Sequence, residues 1–386
     1  VSGTGIPAST TITTVDSSTT ITLSANPTGG TLTGQSLIFE DLTRITHLGG
    51  SDTLDNTDTM LTIAAGAGTG KTLFNARRYY GTGAVRSITG FGFAPDLVWI
   101  KQRGGTTNPL LYDSIRGPGY MLTPVDNRAQ SGLQTTALTS FTQDGWATGA
   151  ETDTNYASGY FISWGWKAGG APSADGKRMT DGTETSLVSN TDYSSSLSNV
   201  RQSINSTGKF SITKFNGATG NQWFLHGLGA AKPDFYIIKQ ANAAGDWRVW
   251  HSGFTTDATN YITLNEPDAV ASNSAIWANT GPETNGKINA GGASAMSDHD
   301  YICYAWKAVA GVSHFGTYEG TGASTNTITG VGFTPKMLIV KNIEASSGWA
   351  IYDVFRTFGT NGTSNAKVIF VHASAAEDVS YPGFTV

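Results

Sequence analysis

The chain has 386 residues, of which 38% are hydrophobic, 14% are charged and 48 are glycine. Few charges and many small residues exclude a protein of long helices, and 10 Trp, 17 Phe and 14 Tyr exclude simple disorder. The net charge of −5 gives no basic surface for nucleic acid, and no apolar run has the roughly 20 residues of a membrane span. We therefore expect short strands joined by glycine-rich turns, with neither nucleic acid nor a membrane as partner.

The first part of the chain predicts a small β module over residues 1–39. Thr-rich segments at 10–14, 19–24 and 36–39 alternate as half-buried strands do and are separated by turn sequences. The first strand of this module is expected to be missing. Residues 40–71 carry acidic and glycine-rich stretches and are predicted to form a connector.

A phosphate-loop motif lies at the end of this connector, where residues 65–72 read Ala-Gly-Ala-Gly-Thr-Gly-Lys-Thr. In a nucleotide-binding protein, such a loop opens a long helix inside a parallel α/β sheet. Here the residues that follow match the first strand of a β repeat instead. The motif is therefore expected to be a chance match, and no cofactor is predicted.

One phrase occurs three times in the rest of the chain. It reads Ile-Thr-Gly-Phe-Gly-Phe-Ala-Pro-Asp-Leu-Val-Trp-Ile-Lys at 88–101, recurs at 328–341, and has a more divergent copy at 226–239. The apolar run near its end predicts a strand buried on both faces, which the proline starts and the final lysine ends. The lysine is expected to keep its charge in water at the rim of the core. The Gly-x-Gly before the proline predicts a tight turn that needs residues without Cβ.

The three copies continue alike. The apolar-aromatic runs that follow the phrase lie at 110–116, 247–252 and 349–356. Two copies then close with an aromatic strand, at 160–168 and 301–308. The third copy stops at 383–386, which corresponds to 145–148 of the first, so it is expected to be truncated.

We therefore predict an all-β chain in which the small N-terminal module is followed by tandem antiparallel β-sandwiches of jelly-roll type. The predicted segments after the connector are repeat 1 (72–170), a linker or inserted arm (171–205), repeat 2 (206–310) and repeat 3 (311–386). No run shows helical periodicity over three turns, so essentially no long helix is expected, and the aromatic closing strands should lie inside.

Two charged pairs occupy equivalent places in repeats 1 and 3, namely Asp113 with Arg116 and Asp353 with Arg356. A catalytic carboxylate with an arginine clamp is one interpretation. A pairing that fixes the exit of the strand is favoured, because charged partners at equivalent sites of repeats hold geometry. Repeat 2 has His251 in place of the aspartate, so a catalytic role would be lost in that copy.

No metal site is predicted, since the six histidines show no metal-ligand spacing. They are His47, His226, His251, His299, His314 and His372. The run Asp298, His299 and Asp300 could bind Ca²⁺, but capping of a turn before a strand explains it. Cys303 is the only cysteine, which excludes a disulfide framework within the chain, and its apolar neighbours predict a core side chain rather than a nucleophile.

The surplus of aromatic residues invites a sugar-binding interpretation, because aromatic faces stack on pyranose rings. Most tryptophans lie within the repeated strand phrases and are expected in the core. The candidates for exposed binding platforms are Trp146, Trp223 and Trp277.

Three stretches of repeat 1 carry a family resemblance: Gly-Phe-Ala-Pro-Asp-Leu-Val-Trp-Ile-Lys at 92–101, Leu-Tyr-Asp-Ser-Ile-Arg-Gly at 111–117 and Ser-Trp-Gly-Trp-Lys-Ala-Gly-Gly at 163–170. They resemble a repeated unit of virion proteins of tailed bacteriophages. Residues 3–11 resemble a small β module of phage tail and fibre proteins. The resemblance covers most of the chain, and the family offers no established catalytic residues to transfer.

This resemblance implies a non-enzymatic structural or adhesive protein, made in the bacterial cytoplasm and exposed in the virion on a tail fibre, a tail spike or the head surface. It implies partners among other virion proteins and copies of the same chain, in a trimer or on a capsid lattice, and possible contact with a host-surface glycan. Two alternatives remain open, a lectin-like array of carbohydrate-binding modules and a polysaccharide depolymerase. Exposed aromatic clusters would favour the lectin, and two carboxylates in a groove, about 5–10 Å apart, would favour the depolymerase.

Overall fold

The computed structural model describes residues 12–17, 20–23, 73–256, 258–278, 280–282, 284–291, 298–320, 327–356 and 364–382. Strands account for 39% of the residues and helix for 1%, so the predicted all-β class is confirmed. The chain divides into two compact units, Val1–Lys71 and Thr72–Val386. No helix in the described part of the chain is long and apolar enough to cross a membrane.

Within residues 12–23, the structure describes an antiparallel strand pair of the first unit, β1 (Ile12–Ser17) and β2 (Thr20–Leu23). Val15 lies opposite Ile21 in this pair, at the position of two of the predicted Thr-rich strands. The third predicted strand, the connector and the phosphate-loop motif lie outside the described residues.

Repeat 1 is a β-sandwich. Its elements are β3 (Phe74–Tyr80), β4 (Arg86–Ile88), β5 (Leu97–Gln102), β6 (Leu110–Asp113), β7 (Leu138–Thr142), β8 (Gly145–Thr148), the one-turn helix α1 (Thr152–Asn155) and β9 (Tyr160–Trp166). One sheet has the order β3-β9-β5-β6 and the other β4-β8-β7. Val98 and Phe161 of the first sheet share one buried cluster with Ile88 and Trp146 of the second. The closing strand β9 therefore lies inside its sheet, between β3 and β5.

The arm and repeat 2 follow. Their strands are β10 (Lys177–Thr180), β11 (Thr183–Ser186), β12 (Ser198–Asn205), β13 (Phe210–Asn216), β14 (Gln222–Leu225), β15 (Phe235–Gln240), β16 (Arg248–His251), β17 (Asn260–Thr263), β18 (Ala271–Ser272), β19 (Lys287–Ala290) and β20 (Asp300–Trp306). The order β13-β20-β15-β16 repeats that of β3-β9-β5-β6, and β14 pairs with β19 as β4 does with β8. The same sequence phrase therefore builds the same sheet twice.

The arm, residues 171–205, is part of this sheet. Its strand β12 pairs antiparallel with β13, β10 pairs parallel with β12, and β11 forms the edge. Val200 and Ile204 of β12 are buried. The sheet thereby reaches nine strands.

Repeat 3 has strands β21 (Met337–Val340), β22 (Ala350–Asp353), β23 (Ser364–Phe370) and β24 (Asp378–Pro382), hydrogen-bonded in chain order. Met337 lies opposite Asp353 as Leu97 lies opposite Asp113, so β21 corresponds to β5 and β22 to β6. Apolar side chains of all three repeats and of the arm form one continuous core cluster.

The predicted Gly-x-Gly turns are confirmed in the three copies. Their glycines have positive φ values, at Gly90 (90°), Gly92 (81°), Gly227 (77°), Gly229 (112°), Gly330 (85°) and Gly332 (81°). Residues with Cβ rarely adopt this conformation, which explains the composition of the turn.

Candidate functional site

The most distinctive feature of the second unit is a ring of three junctions between the repeats. We call the contact of repeat 2 with repeat 1 the first junction, that of repeat 3 with repeat 2 the second, and that of repeat 1 with repeat 3 the third. Each contains the same backbone hydrogen bond. In junction order, the N–H to C=O pairs are Gln130 to Ala241 (2.7 Å), Val270 to Ile343 (2.8 Å) and Glu377 to Arg103 (2.7 Å).

The lysine that ends each repeated strand crosses the same junction. In junction order, the Nζ donors and backbone oxygen acceptors are Lys239 to Asn127 (3.4 Å), Lys341 to Pro267 (3.0 Å) and Lys101 to Ser374 (3.3 Å). Lys101 and Lys239 are fully buried, so the expectation that they keep their charges in water was wrong. Burial lowers the pKa of each to about 8. Each ammonium group also donates to carbonyl oxygens of its own repeat, Gln102 and Gly105 for Lys101 and Gln240 for Lys239. Together with the junction carbonyls, these oxygens replace the hydrogen bonds that water would otherwise accept.

Tryptophans add a further bond to two junctions. Trp247 Nε1 donates to the Thr123 carbonyl oxygen at the first junction, and Trp349 Nε1 donates to the Thr263 carbonyl oxygen at the second, each over 3.1 Å. Repeat 1 has Pro109 at the corresponding place, which has no such donor. The junctions are therefore related but not identical.

At the first junction, the Asp113–Arg116 pair connects two repeats. Arg116 Nε lies 2.5 Å from Asp113 Oδ2, and the Tyr304 hydroxyl of repeat 2 donates to the same oxygen over 2.7 Å. Burial opposes the charge of Arg116, but the Asp113 carboxylate outweighs it and raises the pKa of Arg116. Burial and the adjacent carboxylate raise the pKa of Tyr304, which keeps the phenol protonated as the donor.

The third junction uses the equivalent pair. Arg356 Nε lies 2.7 Å from Asp353 Oδ2, and Trp164 Nε1 of repeat 1 donates to this oxygen over 3.1 Å. Glu377 accepts from both Arg356 (3.1 Å) and Arg103 (3.0 Å). Burial opposes the charge of Glu377, but Arg103 and Arg356 hold its pKa below the ordinary value. The pairing of Asp with Arg was predicted for both repeats. Each carboxylate also accepts a hydrogen bond from a neighbouring repeat, so each pair fixes the geometry of its junction.

The second junction differs from the other two at this place, since His251 occupies the position of the aspartate. The His251 Nδ1 atom accepts from the Gly253 N–H over 2.9 Å. Phe315 packs over the site, with its ring stacked on that of Phe235 at 5.7 Å and 6.5 Å from the His251 ring. Burial lowers the pKa of His251, and His314 lowers it further against the opposing effect of Asp234.

A polar pocket of about 300 Å³ opens at the first junction. Its lining residues are Ile115, Arg116, Tyr120, Gln130, Arg201, Lys214, Ala241 and Asp300. Arg116 is paired with Asp113, and Arg201 is paired with Asp175 over 2.5 Å, so the excess of positive charge in the pocket is small.

Two of the three candidate aromatic platforms were wrong. Trp146 lies in the core of repeat 1, and Trp277 packs edge-on against Tyr236 at 5.0 Å in repeat 2; both are fully buried. Trp223 is half-buried, and the ammonium of Lys287 lies 4.1 Å from its ring centroid. Its ring is therefore already engaged by a cation.

The other candidate residues have structural partners. His226 is buried, with Nε2 3.0 Å from the Ala231 carbonyl oxygen and Nδ1 accepting from the Leu228 N–H at 3.0 Å. Burial lowers the pKa of His226 to about 4. Cys303 is buried in β20, which confirms the predicted core position. Within the described ranges, no three His, Cys, Asp or Glu side chains are grouped in a way that could hold a metal ion.

These features define an all-β protein whose tandem repeats are joined by buried polar junctions. Residues 69–381 match the family described as Domain of unknown function (DUF7483), which covers most of the chain. The chain therefore belongs to this family. No curated protein and no solved structure shows a significant match to the chain.

Proposed function

We propose that the protein is a non-enzymatic structural or adhesive component of a tailed-phage virion, exposed on a fibre, a spike or the head surface. The observation that carries this proposal is the ring of junctions. The sandwiches of repeats 1 and 2 and the four-stranded sheet of repeat 3 are joined through backbone hydrogen bonds and lysines at three junctions and through buried ion pairs at two of them. Such an arrangement suits a rigid protein with an extended surface. The sequence resemblance of the repeated phrases to virion proteins supports the same role.

The composition adds a second line of support. Charged residues make up 14% of the chain, against about 25% in typical soluble domains, and sheet edges usually need charges or a cover. We expect the protein to bury further surface against copies of itself or against other virion proteins, in interfaces above about 1,000 Å². Light scattering at micromolar concentration should report an oligomer, with a trimer as the arrangement expected for a fibre. A stable monomer with small contacts would count against the structural role.

The direct test is to locate the protein in phage particles. These particles would be purified from lysates of the bacterium that produces the protein. Peptide mass spectrometry should detect the chain in intact, nuclease-treated particles. Gold-labelled antibodies against residues 72–386 should mark the fibre, the spike or the head surface in electron micrographs. Presence of the protein only in the soluble fraction of the lysate would contradict the proposal.

A lectin-like role is the second candidate, and Trp223 is the observation that favours it. Its half-exposed ring with an adjacent Lys287 is an arrangement that can contact a sugar. Glycan-array binding that is lost in Trp223→Ala, and retained in the exposed-site variant Tyr160→Ala, would favour this role. Glycan binding and its absence are both compatible with a location on the virion. Particle analysis therefore tests the location of the protein, and the glycan array tests whether its role is adhesive or purely structural.

A further inference from the structure

Three equivalent positions carry different side chains at the three junctions. One position is that of Arg116, Phe254 and Arg356 in repeats 1, 2 and 3, three residues after Asp113 and its counterparts. The other two are the residues joined by the backbone hydrogen bond that each junction contains. We call these three residues the triad of a junction. The triads are Arg116, Gln130 and Ala241 at the first junction, Phe254, Val270 and Ile343 at the second, and Arg356, Glu377 and Arg103 at the third.

Two of the triads are closed by their own side chains. At the third junction, the Glu377 carboxylate lies 3.1 Å from Arg356 Nη1 and 3.0 Å from Arg103 Nε, so ion pairs occupy the space. At the second junction, all three residues are apolar, and each belongs to the main core cluster or packs against it. Neither of these triads therefore presents an unpaired charge to a ligand.

The triad at the first junction leaves space instead. Ala241 stands where the third junction has Arg103, and the neutral Gln130 stands where it has Glu377. Gln130 Oε1 accepts from Arg116 Nη1 over 3.3 Å, and the methyl group of Ala241 is much shorter than an arginine side chain. All three residues of this triad line the pocket of about 300 Å³. The pocket thus lies where the third junction has its ion pairs.

Strands β12, β13 and β20 add polar groups to this pocket. Lys214 of β13 lies opposite both Arg201 of β12 and Ile302 of β20, so it is the central residue of a cross-strand row. Asp300 precedes Ile302 by two positions and therefore faces the same side of the sheet. Three parts of the chain, namely repeat 1, the arm and repeat 2, thus meet in the pocket.

The lining offers a hydrogen-bond donor and an acceptor to a ligand. Arg116 is already bonded through Nε, Nη1 and Nη2, so it is a fixed wall of the pocket. The Lys214 ammonium group, in contrast, forms no hydrogen bond or ion pair within the described ranges. Asp300 forms no ion pair there either, and its Oδ1 atom accepts a long bond of 3.4 Å from Asn216. A ligand can therefore reach one cationic donor and one anionic acceptor.

The charges around the pocket balance. Arg116 and Arg201 are each paired with an aspartate outside the lining, and the charge of Lys214 is matched by that of Asp300 within it. No excess charge selects an anion or a cation. The lining therefore favours a neutral ligand whose groups both donate and accept hydrogen bonds.

We propose that this pocket binds one unit of a neutral saccharide. A sugar hydroxyl both donates and accepts, so neighbouring hydroxyls can pair with the Asp300 carboxylate and the Lys214 ammonium group. Ile115 and Tyr120 supply apolar surface for the C–H groups of the ring. The volume of about 300 Å³ is at the small end of ligand pockets and suits a single sugar unit. The proposal rests on the adhesive form of the proposed function and gives it a binding site.

The test uses the chain of residues 1–386 and four probes, the methyl glycosides of glucose, galactose, mannose and N-acetylglucosamine. Saturation-transfer NMR should detect binding of at least one probe at millimolar concentration, and calorimetry should give its dissociation constant. The uronic acid and the amino sugar that correspond to the bound probe should bind more weakly, because neither added charge has a counter-ion in the pocket.

Single substitutions locate the site. Lys214→Met and Asp300→Asn should each weaken binding about tenfold, since each removes a charged hydrogen-bond partner. Lys167→Met is the matched control, because Lys167 is also half-buried but does not line the pocket, and it should leave the affinity unchanged. Trp223→Ala should leave it unchanged as well, which separates the pocket from the half-exposed tryptophan.

A double variant closes the pocket with the triad of the third junction. Gln130→Glu combined with Ala241→Arg reproduces the charges of that triad, and the new arginine side chain should fill the space. Binding should be lost, while the midpoint of thermal unfolding should stay close to that of the unaltered chain. If this variant fails to fold, Lys214→Met and Asp300→Asn still decide.

Three results would overturn the proposal: no binding of any of the four glycosides, tighter binding of the charged sugars, or unchanged affinity in both Lys214→Met and Asp300→Asn. Binding that is lost only in Trp223→Ala would move the site to that residue and would also overturn it. None of these results alters where the protein lies in the particle, so failure of the pocket and failure of the virion role remain distinguishable.

Discussion

Asp113 stabilises the contact between repeats 1 and 2. Its Oδ2 atom accepts hydrogen bonds from both Arg116 Nε of repeat 1 and the Tyr304 hydroxyl of repeat 2. We expect Asp113→Asn to lower the free energy of unfolding by about 3–5 kcal/mol, since the buried Arg116 charge then lacks its counter-ion. Urea denaturation followed by tryptophan fluorescence measures this change.

The matched control for this substitution is Asp126→Asn. Asp126 pairs with Arg128 over 2.5 Å, but the two side chains are 36% and 57% exposed. Exposed pairs of this kind contribute about 0–1 kcal/mol, so the control should be close to neutral. Equal losses in the two variants would contradict the role assigned to the first junction.

His226 makes the stability of the protein depend on pH. Its folded-state pKa of about 4 lies below the ordinary value of 6.5, so the unfolded chain binds the proton more readily between these values. The stabilising contribution is fully present above pH 6.5 and is lost as pH falls towards 4. The free energy of unfolding, measured in urea at pH 7.5 and 5.0, should therefore fall less in His226→Asn than in the unaltered protein. An unchanged pH dependence in the variant would contradict this assignment.

At the level of single residues, the sequence predicted charge partners better than exposure. The recurrence of Asp and Arg three residues apart was sufficient to predict both buried pairs. The burial of Lys101 was not predictable from the strand alone, because one of its acceptors, the Ser374 carbonyl oxygen, belongs to another repeat. Trp146 and Trp277 were misjudged for a related reason, since a tryptophan outside the repeated phrases can still fill a core.

Gly169 shows how the arm is attached to repeat 1. Its N–H donates to Ser203 Oγ over 2.9 Å, and a Cβ at this place would collide with the carbonyl oxygens of Met179 and Ile204. We expect Gly169→Ala to cost about 1–3 kcal/mol, because the backbone of β10 and β12 must move apart. Thermal unfolding followed by circular dichroism measures the loss.

Gly132→Ala serves as the control for this change, since Gly132 is exposed and a Cβ there meets no atom within 4 Å. The control should be neutral or slightly stabilising, because alanine restricts the unfolded chain. A loss in Gly132→Ala as large as that in Gly169→Ala would show that the close approach of the arm is unimportant.

The strands of the repeated phrase were predictable because their apolar runs are continuous and are bounded by proline and lysine. The arm was harder to interpret, since Ser, Thr and Asn dominate it and only isolated residues such as Val200 and Ile204 face the core. Composition of this kind is typical of loops, yet β12 obtains its order from pairing with β13. Neighbours distant in the chain thus decide the structure of the arm.

The shared core predicts that the three repeats unfold together. All 10 tryptophans lie between residues 99 and 349, so their fluorescence reports only on the second unit. We expect a single transition in urea, coincident with the loss of near-ultraviolet circular dichroism. Separate transitions would mean that the junctions contribute less to stability than the contacts within each repeat.

The number of repeats was evident in the sequence, but the closure into a ring was not. The phrase at 88–101 and its copies specify a buried strand in each repeat. The junction bonds instead connect residues such as Arg103 and Glu377, which lie 274 positions apart and have no shared motif. Gln130 takes the place of Glu377 at the first junction and Val270 takes it at the second, so self-comparison of the chain could not reveal the contact.

The presence of three related junctions within one polypeptide has a consequence for how the protein can evolve. In an assembly of three identical chains, any substitution at a junction occurs three times, and its cost is multiplied accordingly. A single gene that encodes all three copies allows each junction to diverge alone. Repeat 2 has His251 at the place where repeats 1 and 3 have Asp113 and Asp353, which is a difference of this kind. Duplication followed by such local drift would let one third of the ring acquire a new partner while the remaining two thirds preserve the fold.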